Sequence, residues 1–396
     1  MPSPRRSFLV LCAATFFHFV AMGMYLAALP LYVSRELNGS RADVGLAISA
    51  MSISAVVSRP WIGRRVDRLG RKVFIVGAPA LIAVTAFSLF AATVLIAVIA
   101  VRLVQGLAAA AYYTSAATMA TDLAPEDRRA DFIARFSLFL YAGFATGPAL
   151  AEWLIARFGF NWTWTVSAVL ALVGAAIAFL LPETQPDHGD QPAPRRRLVH
   201  PAAVGPALVL LTIAVGYTSI SAFTPLYARH VGMGSSGLLF VTFALTIFVV
   251  RLGSGRLADR YGRVVVAMPG LGLGVAGLTL LAVVPRPGAA FVGVAAFGAC
   301  HALAFPALMA LTVDAVPSRE RGEALGSFTA GFDIGAAVGG YTVGWVADQA
   351  GFRSAWLTAA AVCLIGLGVL MRIAHRVRAD ATAMAEAAPH PEPAGT

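Results

Sequence analysis

Charge is what this chain has least of. Only 13% of its 396 residues are Asp, Glu, Lys or Arg, against 58% hydrophobic residues and a mean hydropathy of +0.76. Such a balance leaves too much apolar surface for water, which excludes a soluble globular protein and requires a bilayer as solvent. Lysine is nearly missing: of 30 basic residues, Lys72 alone is not arginine, a bias of GC-rich bacterial genomes. The three cysteines, Cys12, Cys300 and Cys363, lie in apolar stretches, and their odd number and spacing argue against a disulfide framework or a metal site. No nucleotide-binding P-loop is present, which excludes direct ATP drive by this chain. Gly270-Leu-Gly272-Leu-Gly274 has a dinucleotide-like look, but it sits in an apolar run with no strand before it. No nucleophile, base and orienting group recur together, so an enzyme is not expected. Nor is a cofactor; any energy for uphill movement must come from an ion gradient, or the flow is downhill.

What the chain does have is length of apolar sequence. Crossing roughly 30 Å of hydrocarbon takes about 20 helical residues, and twelve such stretches fit between residues 8 and 374. They divide into an N-terminal six-helix bundle over 1–181 and a C-terminal one over 204–376. A Pro-rich linker (182–203) containing His188, Arg195-Arg196-Arg197 and His200 joins them, and an Ala/Pro/Glu-rich tail (377–396) reads as disordered. His200 reads as an exposed linker residue. With both termini cytoplasmic, 23 of the 30 basic residues fall inside, six outside (Arg35, Arg41, Arg157, Arg229, Arg286, Arg353) and Arg102 within a helix. The net charge of +10 is therefore membrane topology, and nucleic acid is not an expected partner. Arg5-Arg6-Ser7-Phe8-Leu9 resembles an export signal, yet Pro30-Leu31-Tyr32 closing the first span is mirrored by Pro225-Leu226-Tyr227 closing the seventh. The first span belongs to the fold.

The halves repeat each other at an offset of 192 residues. Arg59, Gly63, Asp67, Arg68, Gly70 and Arg71 are answered by Arg251, Gly255, Asp259, Arg260, Gly262 and Arg263, without change of spacing. The same offset carries Asp122 onto Asp314, Gly143 onto Gly335 and Gly147 onto Gly339. Duplicated halves are a common construction of secondary transporters. In each charged loop the first glycine (Gly63) permits close helix approach, the acid can accept hydrogen bonds at a helix end, and Gly70 permits the turn. Asp122 and Asp314 are natural partners for these arginines, and the expected result is a charge network that gates the cytoplasmic side.

Twelve spans as two sixes, with Gly63-Arg-Arg-Val-Asp67-Arg68-Leu-Gly70-Arg71-Lys72 and its copy, resemble the major facilitator superfamily and its signature loop. Arg102-Leu-Val-Gln105-Gly106 resembles the motif that proton-coupled members carry in the fourth helix. Gly143-x3-Gly147-Pro148 resembles the antiporter motif of the fifth, which normally ends in a glycine pair where this chain has Ala151-Glu152. The resemblance implies an all-α integral membrane fold of two pseudo-symmetric six-helix bundles, similar to the twelve-helix drug:proton antiporters.

Gly143 and Gly147, with Pro148 beside them, and Gly331, Gly335 and Gly339 form small-residue stripes for helix packing. Asp333 lies about 200° around the helix from Gly331 and roughly 15 Å beyond Glu323, so it must face lipid or a central cavity near the midplane. An ionised group facing lipid costs at least about 3 kcal/mol, which favours the cavity and makes Asp333 the first candidate for proton binding. A structural, ion-paired Asp is the alternative. Arg102 can bind an anionic cargo or tune an acid, or form an ion pair with Glu152 at similar depth; Gln105 is its hydrogen-bond partner one turn away. His18 and His301 sit near mid-membrane and can relay protons or simply be hydrogen-bonded. Aromatics around them, Tyr141 among them, suit a partly apolar cargo if they line the cavity. The expected activity is proton-coupled export of a small, partly apolar compound by a monomer in the cytoplasmic membrane. The alternatives are a proton symporter importing an organic anion, and a transporter-fold sensor without net flux.

Overall fold

The computed structural model describes residues 4–125, 128–184, 199–317 and 320–387, and among these there is no strand. The first half contains α1 (Pro4–Arg35), α2 (Arg41–Leu69), α3 (Arg71–Ser88), α4 (Leu95–Asp122), α5 (Arg129–Phe158) and α6 (Phe160–Ala178). The second contains α7 (Pro201–His230), α8 (Gly237–Tyr261), α9 (Arg263–Val283) and α10 (Pro287–Asp314), then a helical stretch Arg321–Ala387 broken at Gly351 into α11 (321–350) and α12 (352–387). Among the described residues, ten helices are long and apolar enough to cross a bilayer; the last holds two expected spans, and the apolar part of α8, Gly237–Gly253, supplies the twelfth. His188 and most of the linker lie outside the described residues, as do residues 388–396 of the tail.

Local sequence sets the boundaries, and it does so twice. Gly70 (φ 90°) and Gly262 (φ 95°), 192 residues apart, make the turns into α3 and α9; Gly159 (φ 83°) and Gly351 (φ 77°), at the same offset, make those into α6 and α12. Only glycine adopts this backbone without strain. Tyr32, closing α1, donates to the Ala92 carbonyl at 3.2 Å and packs edge-on against Trp164. Tyr227, closing α7, does the same with the Leu281 carbonyl at 2.6 Å and Trp356. The mirrored Pro-Leu-Tyr ends therefore do one job in each bundle.

The glycine stripes pack as expected. A Cβ on Gly143 or Gly147 would run into Phe19, Val20 and Gly23 of α1, and one on Gly331, Gly335 or Gly339 into Ala207, Leu211 and Val215 of α7. Pro148 lies within α5. Cys300 and Cys363 are buried where α10 and α12 meet Gly274 of α9, which makes that Gly-x-Gly run a packing surface. His200 departs from expectation. It is buried, its Nδ1 accepts from Ala202 N–H at 3.2 Å as the cap of α7, and its Nε2 lies 3.3 Å from Glu320. Pro201 at the first helical position leaves the cap role to the residue before it.

The bundles meet along two seams, α2 with α11 and α5 with α8, flanking α1 and α7. The molecule has a terminus end, where α1 begins, α6 ends and α7 begins, and a far end. Close contact is concentrated toward the far end. Gly45 would strike the Gly340 carbonyl if it carried a Cβ, Tyr341 N–H donates to Ser49 Oγ at 2.9 Å, and Arg41 donates to the Ala347 carbonyl at 2.6 Å while lying over the Phe352 ring. On the other seam, Gly237 abuts Ala149, and Glu152 accepts from Ser236 N–H (2.7 Å) and Oγ (2.5 Å).

Candidate functional site

Where the seams part toward the terminus end, the bundles enclose a cavity of about 270 Å³. It draws lining from both halves, and five of the seven residues proposed from the sequence for proton coupling or cargo stand in its wall: Asp333, Arg102, His18, His301 and Tyr141. Asp333, 7% exposed, projects from α11 away from the glycine stripe that packs on α7, as the helical geometry requires. Its carboxylate forms a direct ion pair with the Arg59 guanidinium of α2, in the opposite bundle.

Arg59 and Arg251 correct the sequence reading. Both head the repeated loop motif and were expected at the cytoplasmic gate, yet both line the cavity. Arg59 lies ten residues inside the end of α2, roughly 15 Å of rise, at the depth counted for Asp333. Arg251 Nη2 donates to Tyr141 Oη at 3.0 Å, with the guanidinium 4.8 Å from that ring's centre. Tyr141 Oη is also 3.3 Å from His301 Nε2. His301 sits between the Tyr217 and Phe305 rings, and His18 stacks on Tyr112 at 3.7 Å.

The Arg102–Glu152 pair is not formed. Arg102, 4% exposed, donates to the Ala47 carbonyl at 3.2 Å and to Gln105 Oε1 at 2.8 Å, while Gln105 donates to Thr85 at 3.2 Å. Gln105 is thus the partner of Arg102 and does not line the cavity. Glu152 leaves the site altogether: it is buried against the start of α8, where the Ser236 N–H and hydroxyl and the positive end of the helix satisfy a carboxylate without a cation. Among the described lining residues, Asp333 is the one carboxylate against three arginines. Apolar and aromatic groups make up much of the remaining wall, including Phe19, Tyr113, Phe144, Tyr217 and Phe332.

Two of the expected loop pairs form, each within its own bundle. Arg71 pairs with Asp122 at 3.4 Å and Arg263 with Asp314 at 3.4 Å. Arg260 lies over the Tyr261 ring, and Arg68 is exposed. Around Gly70 the linker residue Glu183 accepts from the backbone N–H groups of Arg71 (2.8 Å) and Lys72 (3.1 Å), where a Cβ on Gly70 would collide with it. Gly63 was expected to permit close helix approach, but a Cβ there would meet nothing within 4 Å. Gly262 likewise has open space, so its role is the turn. Gly255 and the side chains of Asp67 and Asp259 lie outside the described residues.

Ionisable groups spanning two bundles around a small aromatic cavity can bind a solute and a proton in one place. Residues 11–252 and 207–394 match the family profile described as Major Facilitator Superfamily. An uncharacterised MFS-type transporter of Salmonella typhimurium is 28% identical over 370 residues, covering 90% of this chain and 94% of that protein. Among solved structures, a bacterial homologue of the human lysosomal transporter Spinster, inward-facing and occupied, superposes with a TM-score of 0.77 at 15% identity, over 95% of this chain and 97% of that one. The human organic anion transporter MFSD10 does so with a TM-score of 0.71 at 18% identity, over 93% and 100%.

Proposed function

Because the chain belongs to the major facilitator superfamily, and is therefore a multi-pass membrane transporter of small molecules, we propose that it couples cargo to protons through the Arg59–Asp333 pair. One observation carries this reading: the pair ties α2 of one bundle to α11 of the other within the cavity wall. A proton on Asp333 removes its charge, and with it the ionic tie between the bundles. The loss of one proton restores the tie. A titratable group that is also an inter-bundle contact links protonation to the rocking of bundles about a central site. Both termini are cytoplasmic, the terminus end faces the cell interior, and a single chain in the cytoplasmic membrane suffices because it contains both bundles.

The cargo is small and partly apolar, in keeping with the aromatic wall. The α5 glycines and Pro148 support efflux by exchange, in which cargo and proton occupy the site in turn. A second reading rests on the lining charge, with Arg59, Arg102 and Arg251 against Asp333. An organic anion would compete with the Asp333 carboxylate for Arg59, raise its proton affinity and so travel with the proton as a symported substrate.

The sign of proton movement separates the two. In everted vesicles with an acid interior, exchange makes an added cargo dissipate the gradient, whereas anion symport makes it deepen. A compound that shows sustained counterflow with no proton movement of either sign would overturn the coupling.

A further inference from the structure

On the outer flank of the N-terminal bundle, away from the central cavity, α2, α3 and α4 frame a second recess of about 930 Å³. Gly106 of α4 packs so tightly on Met51 and Ser54 of α2 that a Cβ there would collide with both. Toward the terminus end a groove opens between α2 and α4. Its body is apolar: Trp61, Val73, Phe74, Leu81 and Leu107 line it, and Gly77 leaves open space where a side chain would stand. Its terminus end carries Arg64, Arg65 and Arg68 on α2, all exposed. Arg64 and Arg68 also engage other groups.

We propose that this groove is a binding site for an anionic phospholipid of the leaflet at the terminus end, its acyl chain along Phe74, Gly77 and Leu107 and its phosphate at Arg64, Arg65 and Arg68. Charge complementarity selects the occupant. A basic cluster at the membrane surface attracts anionic headgroups, and an apolar slot beneath it suits a chain already in hydrocarbon. The repeat serves as an internal control. At the equivalent positions of the second half, Trp61 becomes Gly253, Arg65 becomes Leu257, Gly77 becomes Pro269 and Ala111 becomes Leu303. The loop motif recurs there, but the aromatic edge, one arginine and the empty glycine position do not.

The groove also bears on the central site. Ser58 faces the groove while the next residue, Arg59, holds Asp333, so one turn of α2 separates lipid from ion pair. An occupied groove supports that turn from behind.

The test is native mass spectrometry of the purified full-length protein, titrated with phosphatidylglycerol or with phosphatidylcholine of the same chains. Wild type should retain phosphatidylglycerol preferentially, Arg65→Gln should weaken its retention about fivefold, and Gly77→Leu, which fills the slot, should abolish it. Gly77→Leu should keep wild-type helical content and elution volume, because a Cβ at this position meets nothing within 4 Å. Equal retention of the two lipids by wild type would overturn the proposal, as would wild-type retention of phosphatidylglycerol by a folded Gly77→Leu.

Discussion

The two seams between the bundles are related by the 192-residue repeat, and where they line the cavity they differ in the partner each gives its arginine. Arg59 of α2 and Arg251 of α8 are equivalent under the 192-residue offset, and so are their partners across the interface, Asp333 of α11 and Tyr141 of α5. One seam holds its arginine with a carboxylate and the other with a phenol. Far from the cavity the seams still match in kind, Gly45 against Gly340 on one side and Gly237 against Ala149 on the other. A close glycine approach is therefore kept in both seams. Among the described cavity-lining residues, a carboxylate stands in one copy only. A carboxylate in both would give two sites competing for protons in the same cavity; a phenol keeps the contact as a hydrogen-bonding hydroxyl.

The largest expected effect comes from erasing that difference. Asp333→Asn should lower proton-driven accumulation of cargo roughly 100-fold, the scale of losing a proton-transferring group, while cargo counterflow persists; parallel flux assays in proteoliposomes measure both. Next is the tight end of the ionic seam. Gly45→Ala places a methyl against the Gly340 backbone and should cost about 1–3 kcal/mol of far-side closure, seen as faster labelling of a far-side cysteine probe. Gly237→Ala meets only the edge of Ala149 and should have a smaller effect. Tyr141→Phe keeps the ring over Arg251 but removes the hydroxyl, a loss of about 1 kcal/mol. Cargo affinity should fall several-fold with proton coupling intact. The smallest difference separates the two loop pairs. Asp122→Asn should lower thermal stability more than Asp314→Asn, because the Arg71 side chain is 6% exposed and that of Arg263 is 30%. The second pair is worth at most about 1 kcal/mol.

Much of this was legible in the sequence, for definite physical reasons. Apolar length gave the helices, and the offset of 192 residues predicted that turn glycines and packing stripes would come in pairs. Angular position and depth along the helix sufficed to put Asp333 in the cavity. The same count of rise per residue would have found Arg59, ten residues inside the end of α2, had its loop motif not drawn it to the surface. Tyr141 could have been matched to Asp333 by the offset alone. Glu152 was misread because a search for opposite charges misses backbone donors: its partners are the N–H and hydroxyl of Ser236, 84 residues away on the other bundle. His200 misled for the same reason, since composition marks a linker but does not reveal which of its residues caps the next helix.

The most direct test of the account is the ratio of protons to cargo moved by wild type and Asp333→Asn in the same proteoliposomes. If the Arg59–Asp333 pair is the coupling element, the variant exchanges cargo across the membrane but moves no protons with it and cannot accumulate cargo from a pH gradient. If the variant accumulates cargo from a pH gradient as the wild type does, the pair is a structural contact and the proton travels elsewhere.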